Sequence, residues 1–149
     1  MKLVATNRQA RHRYELFDTY EAGVALRGSE VKSIREGRVN LKDAFIRIMK
    51  GEAFLVNCHI SPYSHIQDIR LSEPTRMRKL LLHRSEIDRL SGQISRKGHT
   101  VVPLSMFFKK GLVKVEIAVA RGKKQYDKRE TLRRRIADRE AQRAMRKNK

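Results

Sequence analysis

The residues of this 149-residue chain suited to acid–base, nucleophilic or metal chemistry are five histidines, one cysteine and sixteen Asp and Glu side chains. His12, His59, His65, His83 and His99 never stand three or four apart, the spacing that puts two ligands on one helix face. His59 follows Cys58 directly and reads as a partly buried imidazole at a strand end. Neither a metal nor a cofactor is expected. Cys58 as a nucleophile would need an activating histidine; a single cysteine in an apolar run reads as a small buried hydrophobe, and it excludes an intrachain disulfide. Asp18 with Glu21, and Glu86 with Asp88, fall at cap and turn positions rather than as a facing acid–base pair. Gly122-Lys123-Lys124 lacks the strand-to-helix glycine loop that cradles phosphate. Nothing demands an enzyme or a small-molecule substrate.

Positive charge is what the chain has in excess. Thirty-five Lys and Arg against 16 Asp and Glu give a net charge of +19, so the expected partner is a polyanion held by counter-ion release. Three clusters carry it. In Asn7-Arg8-Gln9-Ala10-Arg11-His12-Arg13-Tyr14, arginines and a histidine precede the first expected strand, and Arg8, Arg11 and His12 are candidate contacts for a polyanion's phosphates. The planar guanidinium suits phosphate because it donates two parallel charge-assisted hydrogen bonds, and it also stacks on bases. The second cluster, Arg76 to Arg84, interleaves charge with leucines that read as core, so Arg76, Arg78 and Lys79 are the candidates there. The third is the end of the chain. Residues 121–149 hold 13 basic and 4 acidic side chains, against 22 and 12 in residues 1–120.

The elements that must position these clusters are mostly strands. Tyr14 to Leu26 reads as one or two strands with Gly23 as a bend or bulge. Phe45–Met49 and Ala53–Cys58 flank Lys50-Gly51-Glu52, a hairpin signal. Val101–Phe108 and Leu112–Val119 flank Lys109-Lys110-Gly111, and Val113, Val115, Ile117 and Val119 alternate along the last run. A helix is expected from an N-cap at Ser29 to Gly37, and a longer one from Thr75 or His83 to Ser95, ended by Gly98. Together these predict a mainly β chain with added helices, a closed antiparallel oligonucleotide-binding (OB-like) β-barrel over residues 1–120. Residues 121–149 contain few large apolar side chains and should form a basic tail, disordered when free and helical against a nucleic-acid wall. No apolar run approaches the ~18 residues of a membrane span and no secretory segment follows Met1, so a cytoplasmic chain without a membrane partner is expected.

Longer strings sharpen the function. Asn7-Arg8-Gln9-Ala10-Arg11-His12, Tyr20-Glu21-Ala22-Gly23, Glu30-Val31-Lys32-Ser33 and Gly37-Arg38-Val39-Asn40-Leu41-Lys42-Asp43 occur in that order. Arg78-Lys79-Leu80-Leu81-Leu82 and Gly122-Lys123-Lys124-Gln125-Tyr126-Asp127-Lys128-Arg129 follow. Over nearly the whole chain they closely resemble the SsrA-binding protein family (small protein B, SmpB). That resemblance implies an OB-like fold, no catalysis, binding of transfer-messenger RNA, and its delivery to stalled ribosomes for trans-translation and peptide tagging. It implies that the barrel grips the tRNA-like domain at its elbow, with Glu21, Leu81 and Lys114 matching positions linked to that contact. It also implies that the tail, through Lys123, Lys124, Tyr126, Asp127, Lys128 and Arg129, enters the vacant mRNA path of the small subunit and meets its rRNA. Tyr126 stands where many relatives carry histidine; both rings offer a π face. Leu81 has two readings, core by pattern and surface contact by resemblance. The alternatives are a constitutive ribosomal protein tethered by its tail and a small RNase using His12 or His59 with Glu21.

Overall fold

The computed structural model describes residues 1–63 and 73–123. In chain order they begin with strand β1 (Lys2–Thr6), helix α1 (Arg8–Arg13), β2 (Tyr14–Val24), α2 (Gly28–Arg35) and β3 (Val39–Asn40). Strands β4 (Phe45–Met49), β5 (Glu52–Val56), β6 (His59–Ile60) and β7 (Arg78–Leu81) follow, then α3 (Arg84–Ile94), β8 (His99–Lys109) and β9 (Leu112–Gly122).

Both expected hairpins form, with connections tighter than the three-residue ones read from the sequence. Met49 pairs with Glu52 across Lys50-Gly51, and Lys109 pairs with Leu112 across Lys110-Gly111. All four turn residues have positive φ, between 51° and 77°, which is the backbone of a type I′ turn whose twist matches the flanking strands. Glycine at the second position takes that conformation without a Cβ clash.

The antiparallel ladders close on themselves. β8 pairs with β4, β4 with β5, β5 with β7, β7 with β2, β2 with β9, and β9 returns to β8. β1 pairs with Ser105–Phe108 on the same edge of β8 that meets β4 at Val101. The long β2–β9 and β8–β9 ladders form one continuous wall, whereas β4–β8 is a single bridge at Ile46 and Val101. The expected closed antiparallel arrangement is therefore present as a hydrogen-bonded ring.

Period-2 alternation sorts side chains into the ring and out of it. Val101, Met106, Val113, Val115, Ile117 and Val119 point inward and join Ile46, Leu55, Leu80, Leu90 and Ile34 in the main core. Outward Val102, Leu104, Ala118 and Ala120 are buried too, because Ala10 of α1 packs on them with Tyr14 and Leu16 beside it. Small alanines on β9 permit that close approach. α1 is fixed at its start by Asn7, whose backbone N–H donates to the Leu104 carbonyl at 2.8 Å and whose Nδ2 donates to the Pro103 carbonyl at 2.9 Å. Those carbonyls lie at a register shift between Pro103 and Ser105, a tolerated place for a strand proline.

Several expectations need correction. The first basic cluster does not precede the first strand: β1 comes before it, and Arg8–Arg13 of the cluster form α1. α2 begins at Gly28, so Ser29 is inside the helix rather than its cap; the Glu30 carboxylate accepts instead from the Arg27 backbone N–H at 2.8 Å. Of the two starts read for the longer helix the later one holds, with His83 as N-cap, α3 over Arg84–Ile94 and Ser95 as C-cap. A start at Thr75 does not, because Arg78–Leu81 is strand β7, fixed by pairing with β5 and β2. His59 is exposed rather than partly buried. None of the described helices is long and apolar enough to cross a membrane.

Candidate nucleic-acid interface

Gly23 sits between two neighbours, paired with Leu81 of β7 on one side and Lys114 of β9 on the other. Paired residues in adjacent strands project to the same face, so Leu81 and Lys114 stand outward with only a glycine between them. A methyl group on Gly23 would lie 3.2 Å from Leu81 Cβ and 3.4 Å from Cδ1, so the leucine leans over the gap. Leu81 is 56% exposed, while its neighbour Leu80 is 1% exposed in the core. The strand alternation thus assigns Leu80 to packing and Leu81 to the surface.

Around this pair lies an open groove of about 620 Å³, lined by Glu21, Lys79, Leu81 and Lys114 together with Lys50, Glu52, His83 and Arg84. Its charges are partly matched. Lys109 Nζ donates to both oxygens of Glu21 at 3.3 Å, and Lys79 Nζ donates to Glu52 Oε1 at 3.2 Å, all four side chains being roughly half exposed. Glu21 faces Glu116 across the ladder, so Lys109 offsets two neighbouring carboxylates. Exposed pairs of this kind are worth at most about 1 kcal/mol, so phosphate can displace them at little cost. An apolar knob between cationic side chains suits a ribose or base edge flanked by phosphates.

The other candidates go elsewhere. Arg8, Arg11 and His12 are exposed on α1, over the Ala118–Ala120 part of β9, about 13–20 Å along the strand from Lys114. They share the outer face of β9 with the groove but do not line it. Lys123 joins them, its Nζ donating to the Arg11 carbonyl at 3.1 Å. Lys124, Tyr126, Asp127, Lys128 and Arg129 lie outside the described residues.

Arg78 is a correction. Its side chain is fully buried, so it makes no contact with a ligand at the surface. Its Nε donates to Glu30 Oε2 at 2.5 Å, Nη1 to the Cys58 carbonyl at 2.8 Å and Nη2 to the Pro74 carbonyl at 3.0 Å. Arg76, with only a fifth of its side chain exposed, donates to the other Glu30 oxygen. Burial by itself raises the Glu30 pKa; hydrogen bonds from Arg76, the Arg27 backbone and Arg78, with the charge of Arg78, outweigh it and hold the carboxyl below its ordinary value. Burial pushes the Cys58 thiol up to about 11 despite the nearby Arg78 charge, leaving an unreactive protonated sulfur. These arginines tie α2 to the chain entering β7 and so position Lys79 and Leu81.

Sequence reasoning missed Lys50 and Arg84 as groove residues and Lys109 as the partner of Glu21. Lys50 is the first residue of one hairpin turn and Lys109 flanks the other, and registering β8 and β9 from Lys110-Gly111 would have brought Lys109 and Lys114 to one end of the wall. Among the described residues no group of three or more His, Cys, Asp or Glu is placed to hold a metal ion.

Known proteins resemble this chain in sequence and in fold. The profile of the family described as "SmpB protein" matches residues 4–147. An SsrA-binding protein of Gloeothece citriformis is 57% identical over 146 residues, covering 98% of this chain and 94% of the relative. One from Geobacillus thermodenitrificans is 55% identical over 146 residues, covering 97% and 93%. A solved structure from work headed "tmRNA-SmpB: a journey to the center of the bacterial ribosome" superposes with a TM-score of 0.68 at 48% identity, covering 80% of this chain and 84% of that one. Agreement at this level over almost the full length leaves no other assignment: the chain belongs to the SmpB family of SsrA-binding proteins.

Proposed function

We propose that this protein binds transfer-messenger RNA, the SsrA RNA of its relatives, and delivers it to stalled ribosomes for trans-translation and peptide tagging. The observation that carries this reading is the groove that gathers Glu21, Lys79, Leu81 and Lys114 on one rigid wall. Three of those residues, Glu21, Leu81 and Lys114, come from distant parts of the chain and match the family's RNA-contacting positions. The protein acts as an adaptor in the cytoplasm and not as a catalyst. The body that grips the tRNA-like domain extends past the expected boundary at 120, because β9 runs through Gly122 and Lys123 bonds to the Arg11 carbonyl. Residues 124–149 supply a tail that enters the vacant mRNA path and meets small-subunit rRNA. The α1 cations Arg8, Arg11 and His12, beside the root of that tail, belong to the same RNA-facing side. Arg76 contributes through its bond to Glu30.

Lys114→Ala tests the groove. Removing one phosphate contact weakens transfer-messenger RNA binding and makes the slope of log affinity against log salt shallower by about one unit. A slope and affinity equal to wild type would remove the groove from the interface.

A further inference from the structure

At the mouth of the ring, away from the groove, β2 shifts register against β9 between Leu16 and Thr19, so Phe17 and Asp18 form a bulge. Bulges re-aim side chains. This one leaves the Phe17 ring 40% exposed and outside both apolar clusters. The ring stacks on His99, with centroids 5.5 Å apart and planes 29° from parallel. The bulge is fixed: Gln93 Nε2 donates to Asp18 Oδ2 at 2.8 Å, and Tyr20 OH donates to Gln93 Oε1 at 3.0 Å. Arg121 is the cross-strand partner of His99, and exposed Lys97 lies two residues before it.

A large apolar ring 40% exposed, stacked on an imidazole and outside both apolar clusters, is not explained by core packing. Aromatic rings beside cations are what single-stranded nucleic acid uses, bases stacking on the ring while Lys and Arg take the phosphates. We propose that Phe17, backed by His99, is a stacking platform for an unpaired RNA base, with Arg121 and Lys97 taking the adjoining phosphates. It lies six residues along β2 from Gly23, about 20 Å, and about 13 Å along the strand from Glu21 at the near side of the groove, and so forms a second contact. The inference rests on the RNA-binding function proposed above and adds a site to it. The base comes either from transfer-messenger RNA or from small-subunit rRNA.

The chain has no tryptophan, so Phe17→Trp introduces a single fluorescent reporter on the platform. Titrated separately with transfer-messenger RNA and with small ribosomal subunits, its emission should be quenched to saturation in at least one arm, which identifies the source of the base. In the same arm Phe17→Tyr should bind like wild type, and Phe17→Leu, which keeps an apolar side chain without a π face, should bind at least about fivefold more weakly. Unquenched emission in both arms, while filter retention shows wild-type binding, overturns the platform and leaves the groove's function standing. Wild-type affinity of a folded Phe17→Leu protein overturns it too. Failure of the wild-type protein to bind either RNA is failure of the underlying function.

Discussion

The pairing of Glu30 with Arg76 and Arg78 shows why a basic residue cannot be assigned to RNA from its neighbours alone. Arg78 sits in a string of cations and leucines, and its local pattern is that of a phosphate contact. What decides its role is a carboxylate 48 residues earlier, with the Cys58 and Pro74 carbonyls taking its remaining donors. That partnership is a product of the fold and leaves no local sign in the sequence. Breaking a buried pair leaves one charge without compensation, a loss of about 3–5 kcal/mol. Glu30→Gln should therefore destabilise the protein by about 3 kcal/mol or more at pH 7, measured by urea unfolding. The pH dependence has a definite sign. A carboxyl whose folded pKa is depressed contributes stability that is fully present above its unfolded value, about 4.5, and is lost as pH falls through the folded value. The difference between wild type and Glu30→Gln should be constant above that pH and shrink in more acidic solution. A constant gap down to acid unfolding would mean that the pair does not control stability.

The three-strand row Leu81–Gly23–Lys114 makes the same point for elements. Alternation along Val113–Val119 and the two Lys-Gly turns were legible, because a half-buried strand writes its period into the sequence and a type I′ turn demands residues that accept positive φ. Strand β7 was not. Leu80 and Leu81 also fit a helix face shared with Ile87, Leu90 and Ile94, and only pairing of Leu80 with Ala53 and Leu81 with Gly23 decides between the two. β1 and α1 were missed because neither writes a period: the burial of β1 does not alternate, and α1 has a single buried residue, Ala10, among polar and basic ones. The row also separates binding from folding. Gly23→Ala places a methyl group 3.2 Å from Leu81 Cβ and 3.4 Å from Cδ1; the exposed end of Leu81 swings away, and the Cβ contact is relieved by a small shift of the β7 backbone. The strain of that contact is opposed by alanine's advantage over glycine in a strand, roughly 0.5–1 kcal/mol. Thermal stability should therefore change little, by less than about 1 kcal/mol, while affinity for transfer-messenger RNA falls several-fold because the apolar knob has moved. Unaltered affinity would show that the position of Leu81 is immaterial.

At the scale of the whole molecule the charge is divided in a way that the proposed function uses. β9 runs through Gly122, and Lys123 is bonded to the Arg11 carbonyl, so a chain ending at residue 123 keeps every described contact of the body. Removing residues 124–149 still leaves 24 of the 35 basic side chains, with the groove complete. Counter-ion release depends on phosphates neutralised locally, within about 10 Å at ordinary ionic strength, and not on total charge. If the body alone grips the tRNA-like domain, the shortened protein should bind transfer-messenger RNA with nearly wild-type affinity and an unchanged salt slope, in contrast to Lys114→Ala. Peptide tagging on stalled ribosomes, measured in a reconstituted translation reaction, should be abolished, because the tail is the part proposed to occupy the empty mRNA path. Tagging at the wild-type rate would defeat that role for the tail. A salt slope shallower by several units would place tail cations on the transfer-messenger RNA itself, and the division between a gripping body and a probing tail would have to be abandoned.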